Sequence, residues 1–165
     1  MADGEGKRIF QLKLSDLCFV RNGGAFSDGE ALPPAAVYFR QISDCVISDC
    51  LVDAPGTFWY YAPDATDNSE RRISRRHTVG IRVEGNKNRL VGNTVTHSEG
   101  EAILIDGNEN ILLYNVTDGD VVIAGEGNQV SGLVFTKPES KLILVGKAAA
   151  STNVLAVPEE RILRR

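Results

Sequence analysis

Residues 79–95 read Val-Gly-Ile-Arg-Val-Glu-Gly-Asn-Lys-Asn-Arg-Leu-Val-Gly-Asn-Thr-Val, and they hold the unit from which the rest of the chain is built. Ile81 and Val83 alternate with Arg82 and Glu84, as in a strand with one buried face. Asn88 follows, then Leu90, Asn93 and Val95. The same frame recurs as Val37-x-Phe39 with Asp44, Ile103-x-Ile105 with Asn110, and Val121-x-Ile123 with Asn128. A looser copy runs from Leu142-x-Leu144 to Asn153, with Ala148-Ala149-Ala150 inside an insertion. A fixed repeat of alternating strands predicts coils stacked into a solenoid.

Aligning the copies gives a second polar column: Asp44 is followed by Asp49, and Asn88 by Asn93. Asn110, Leu112 and Asn115 repeat this, read with one residue deleted, and Leu133 replaces the polar residue in the copy that starts at Asn128. Each coil reads as strand A, a turn ending in the Asn, and strand B. Gly85, Gly107 and Gly125 share one position in that turn, where glycine accepts positive φ. Stacked asparagines can hydrogen-bond from coil to coil. About six coils, at roughly 4.8 Å per strand, give a body about 30 Å tall.

The repeat spacing is uneven: 44 residues from Asp44 to Asn88, then 22 to Asn110 and 18 to Asn128. The extra length collects between strand B and the next strand A, in segments 21–36 and 53–79. The short versions are His97–Glu101, Asp118–Asp120 and Lys137–Ser140. Insertions gathered at one turn of a solenoid decorate one face. The expected organisation is a single domain over residues 1–165, with the two insertions walling strand A.

Asp44-Cys-Val-Ile-Ser-Asp49-Cys-Leu-Val and Asn88-Arg-Leu-Val-Gly-Asn93-Thr-Val-Thr resemble the repeats of the right-handed parallel β-helix of the pectate lyase and polygalacturonase superfamily, which includes tailspikes and polysaccharide epimerases. The likeness covers about residues 8 to 157, and the Asn column resembles that family's asparagine ladder. It implies an all-β, single-stranded parallel β-helix that holds polysaccharide along strand A. The chain lacks the Gly-His-Gly and Arg-Ile-Lys elements of the polygalacturonases and the matched acidic calcium ligands of the pectate lyases. The resemblance therefore implies a fold and a ligand class, not a reaction.

The composition is compatible with this. Hydrophobic residues make up 42% of the 165, enough for a core, and the net charge of -4 argues against duplex nucleic acid as a partner. No apolar run is long enough to span a bilayer, and no signal peptide is evident. The expected setting is the cytosol, a virion, or a domain excised from a longer chain. Cys18, Cys45 and Cys50 have no metal-ligand spacing and read as small buried residues. No cofactor or metal is expected.

Period-2 alternation puts two outward columns on strand A: Tyr38, Arg82, Leu104, Val122, Ile143 and Arg40, Glu84, Asp106, Ala124. Glu84 and Asp106 fall on adjacent coils, close enough for paired acid and base work. With Arg82, they are the candidate reacting groups of a lyase, epimerase or hydrolase. Arg40 and Tyr38 join them as candidate substrate contacts. The long insertion adds aromatic Trp59, Tyr60 and Tyr61, and basic Arg71, Arg75, Arg76 and His77; His97 lies near it in sequence. Aromatic rings and Arg forks favour an acidic glycan. In the same loop, however, Asp53, Asp64, Asp67 and Glu70 balance four arginines. The competing expectation is a non-catalytic module that oligomerises through an apolar stripe, Leu104, Val122 and Ile143, or through uncapped ends.

Overall fold

A computed structural model describes residues 2–3, 9–20, 35–55, 57–61, 70–74, 79–98, 100–146 and 153–165. The fold is a parallel β-helix with three sheets. Sheet A holds Ala35–Ser43, Val79–Asn86, Glu101–Asp106, Asp120–Ala124, Leu142–Val145 and Ile162–Arg164, with short Ala2–Asp3 and Ile9–Phe10 both paired to Ala35–Ser43. Sheet B stacks Lys13–Ser15, Val46–Ser48, Arg89–Val91, Ile111–Leu113, Gln129–Ser131 and Val154–Ala156. Sheet C stacks Cys18–Val20, Leu51–Asp53, Thr94–Thr96, Val116–Thr117 and Val134–Phe135. Every pairing within these three sheets is parallel.

Inward residues form columns. Val37, Ile81, Ile103, Val121 and Leu142 are one, and Phe39, Val83, Ile105, Ile123 and Leu144 another. Sheet B contributes Ile47, Leu90, Leu112 and Val130; sheet C contributes Val52 and Val95. All are buried. Each large apolar side chain taken out of water contributes about 1.5–3 kcal/mol, and stacking is what removes it from water.

The expected strand B is two strands. The second polar column lies at the corner between sheets B and C, and each run splits there: Arg89–Val91 precedes Asn93 and Thr94–Thr96 follows it. At such a corner the strand-to-strand bonding is interrupted, and the Asn side chain replaces it. Asn88 Oδ1 accepts from the Cys45 amide at 3.1 Å, Asn110 Oδ1 from the Asn88 amide at 2.9 Å, Asn128 Oδ1 from the Asn110 amide at 2.9 Å, and Asn153 Oδ1 from the Asn128 amide at 2.7 Å. A second ladder runs from Cys50 through Asn93 to Asn115. No residue is deleted between the second and third copies: Leu90 pairs with Leu112 and Val95 with Thr117.

The first copy is one residue out of frame. Glu84 pairs with Arg40 but Gly85 pairs with Ile42, so Gln41 is bulged out, at φ 56°. The ladder positions therefore fall on Cys45 and Cys50, not on Asp44 and Asp49, which are exposed residues in the left-handed region. Both cysteines are buried as expected, and each thiol donates to a carbonyl two residues back. Cys18 is exposed, contrary to the expectation, because it faces outward on sheet C.

Gly107 and Gly125 answer to close approach. A Cβ at Gly107 would lie 2.0 Å from the carbonyl oxygen of Gly85, and one at Gly125 would lie 2.2 Å from that of Gly107. The C-terminal end carries a cap that the sequence does not announce. A 3-10 turn, Glu159–Arg161, brings the Arg161 guanidinium 5.8 Å from the Phe135 ring. Its Nη1 donates to the carbonyls of Lys137, Pro138 and Ser140.

Candidate functional site

Sheet A registers the two outward columns as the alternation predicts: Tyr38, Arg82, Leu104, Val122, Ile143, then Leu163, and Arg40, Glu84, Asp106, Ala124, then Val145. The N-terminal half of the face is charged and the C-terminal half apolar. In the charged half four side chains form one network. Arg82 Nη2 pairs with Glu84 Oε1 at 2.5 Å, and Arg40 Nε lies 3.8 Å from Glu84 Oε2. The Arg82 guanidinium stacks over Tyr38 at 5.2 Å from the ring centroid. The Tyr38 hydroxyl donates to Glu84; burial, this bond and the Glu84 charge hold the phenol above its ordinary pKa.

Asp106 is exposed and sits opposite Glu84 in register, one strand spacing away. Among the described residues no ion pair engages it. The two carboxylates are thus adjacent but unlike: Glu84 is held by two arginines and a phenol, and Asp106 is open. Arg82 Nε is buried and has no hydrogen-bond partner among the described residues. Beside the network lies an open groove of about 540 Å³, lined by Gln41, Ser43, Glu84, Asn86 and Asp106. The size suits a small ligand or a segment of a chain, and the polar walls suit one rich in hydroxyls.

The remaining expected contacts divide. The insertion forms an antiparallel hairpin, Thr57–Tyr61 with Glu70–Ser74, in which Trp59 pairs with Arg72 and Tyr60 with Arg71. The aromatic and basic runs are therefore brought opposite each other, with Tyr61 paired to Glu70. Arg75, Arg76 and His77 lie outside the described residues. His97 does not join the sheet A network. Its Nδ1 is 2.6 Å from Asp53 Oδ1, which also accepts from Thr96 Oγ1 at 2.9 Å.

That pair belongs to a second cluster, which the sequence reading missed, at the corner between sheets C and A. The buried Asp118 carboxylate accepts from the amides of His97 at 2.8 Å and Ser98 at 3.0 Å, and pairs with Lys137 Nζ at 3.0 Å. Asp53 and Thr96 pair in register at the end of sheet C, and Asp118 directly follows Thr117, the partner of Val95; the repeat marks these positions but not the contacts they make. The cluster ties successive coils where the loops leave and fixes the backbone at His97, which is in the left-handed region at φ 54°.

Of the apolar stripe, Leu104 and Val122 are half-buried, but Ile143 is only 5% exposed. The stripe is less open than the alternation predicts. Among the described residues no three metal-binding side chains converge, and no helix is long and apolar enough to cross a membrane. No protein-family model, curated protein or solved structure matches the chain.

Proposed function

We propose that this β-helix binds an acidic polysaccharide along the charged half of sheet A. One observation carries the reading: an aromatic ring, two arginines and two carboxylates are collected in register beside a polar groove, on a rigid sheet. Stacking and fork-shaped donors are what recognition of a sugar ring bearing a carboxylate needs. Strands repeating at about 4.8 Å give that chemistry a linear track. The hairpin, with Trp59 and Tyr60 opposite Arg72 and Arg71, offers the same combination a second time.

The test is titration with uronate-rich and neutral polysaccharides by calorimetry. Binding selective for the uronate polymers, weakened about tenfold or more by Arg82→Ala or Tyr38→Ala in a folded protein, supports the reading; one lost charged contact of about 1.5–3 kcal/mol accounts for that change. No binding to any polymer overturns it. If the protein also cleaves the polymer, Asp106 is the free carboxylate positioned to move a proton, while Glu84 and Arg82 organise the site.

A second reading, a module that associates with copies of itself, draws on exposed apolar residues: Leu51, Tyr114, Val134, Val154 and Leu163 are each more than a third exposed. Sedimentation equilibrium decides it. A multimer dispersed by Val122→Glu or Val134→Glu favours it, and a monomeric wild type removes it.

A further inference from the structure

The hairpin ends in a serine, Ser74, for which the glycan reading has no use. Residues 71–74 read Arg-Arg-Ile-Ser. Arginines two and three places ahead of a serine form the charge pattern that arginine-directed protein kinases select through acidic pockets, while the peptide lies extended. The fold presents this segment in that form. Glu70–Ser74 is a strand, so its backbone is already extended. Its partner is Thr57–Tyr61, and neither strand belongs to sheets A, B or C. A two-stranded hairpin is marginally stable alone, so opening it costs little and leaves the three-sheet stack paired. Ser74 is the last residue of its strand, opposite Thr57, the first of the other, at the open end of the hairpin where pairing stops.

We propose that Ser74 is a phosphorylation site for an arginine-directed serine/threonine kinase. In the transfer the Ser74 hydroxyl oxygen attacks the γ-phosphorus of a nucleoside triphosphate. The bond from that phosphorus to the bridging oxygen breaks, the nucleoside diphosphate leaves, and the hydroxyl proton passes to the kinase's carboxylate base. The product places a charge of about -2 within a run of four arginines, Arg71, Arg72, Arg75 and Arg76. Resting on the glycan reading, the consequence is that phosphorylation weakens the hold of this segment on an acidic polymer.

The test uses the full chain with the catalytic subunit of cyclic-AMP-dependent protein kinase and magnesium-ATP, read by intact mass and fragment sequencing. The expected result is one phosphate on Ser74, none there on Ser74→Ala, retention on Ser74→Thr, and incorporation slowed about tenfold or more by Arg72→Ala. Absence of phosphate from the wild type, or its placement elsewhere and unchanged in Ser74→Ala, overturns the site. Uronate-polymer binding is measured separately on phosphorylated and unmodified protein. A protein that accepts phosphate at Ser74 but binds no polymer in either form leaves the site standing and removes the glycan reading. One that binds the polymer equally in both forms leaves the site and the glycan reading standing and removes the proposed consequence.

Discussion

The backbone amide of Cys45 donates to Asn88 Oδ1, so a cysteine occupies the position that asparagine takes in the next four coils. The substitution is chemically sensible at the start of a ladder. An interior asparagine serves both neighbours: Asn110 Oδ1 accepts from Asn88, while its Nδ2 donates to Gly85 O at 3.0 Å and to Asn128 Oδ1 at 3.1 Å. Cys45 lends the ladder its amide, and its thiol turns to the Ser43 carbonyl at 3.2 Å.

Asn110→Ala and Cys45→Ala should therefore differ sharply. The first removes the partner of the buried Asn88 amide and of the half-buried Gly85 carbonyl, at about 1–3 kcal/mol for the former and less for the latter, for a loss of about 2–4 kcal/mol. The second removes one small buried sulfur and costs about 1 kcal/mol. Urea unfolding of the two variants measures the gap, and equal losses would show that the ladder does not stabilise the stack.

Gly107→Ala should be harsher than Gly146→Ala. Both positions have positive φ, but at Gly107 the added Cβ meets a neighbouring coil's carbonyl oxygen at 2.0 Å, whereas at Gly146 nothing among the described residues lies within 4 Å. Backbone strain of about 1 kcal/mol is common to both. Only Gly107→Ala must also separate two coils, so it should lower the thermal midpoint by a further 2–4 °C or more, on the order of one additional kcal/mol in a chain of this size. Paired thermal melts decide this.

The repeat made the inward columns, the outward columns and most ladder positions legible, because period-2 alternation and parallel stacking leave one register for a half-buried strand. It misled at Asp44, where the offsets match those of Asn88 but the bulge at Gln41 takes up one residue without a glycine or proline to mark it. It blurred sheets B and C, because three-residue strands are too short to show their own period. The Asp118–Lys137 pair and the Arg161 cap were illegible for a different reason. Each joins residues 19 or more apart through single side chains, and no periodic signal encodes such contacts.

Arg161→Ala should loosen the C-terminal end locally. The guanidinium binds three carbonyls and covers Phe135 on the last strand of sheet C. Its loss should cost about 1–2 kcal/mol of global stability, with faster amide exchange at Val134–Thr136 and no change at Ile103–Ile105. Lysine should not restore it fully, because an ammonium has no planar face to lay over the Phe135 ring. Hydrogen exchange followed by mass spectrometry reads both regions at once, and uniform acceleration would show that the cap is not local.

Tyr38 reports on the proposed binding face through its own titration. Burial is the first cause of its raised pKa, and the Glu84 hydrogen bond and charge come next. The fold thus favours the neutral phenol. Its contribution to stability is complete below the ordinary phenol value of about 10 and is lost as pH rises through the folded value. Glu84→Gln removes the carboxylate charge and leaves the Arg82 and Arg40 charges, which favour the phenolate, so Tyr38 should titrate lower than in wild type. The chain has four tyrosines, and the phenolate absorbance of wild type minus Tyr38→Phe isolates this one. A Tyr38 curve unchanged by Glu84→Gln would mean that the Tyr38–Glu84 contact is not formed in solution. The four-residue network on sheet A would then be reduced to the Arg82 and Arg40 contacts with Glu84.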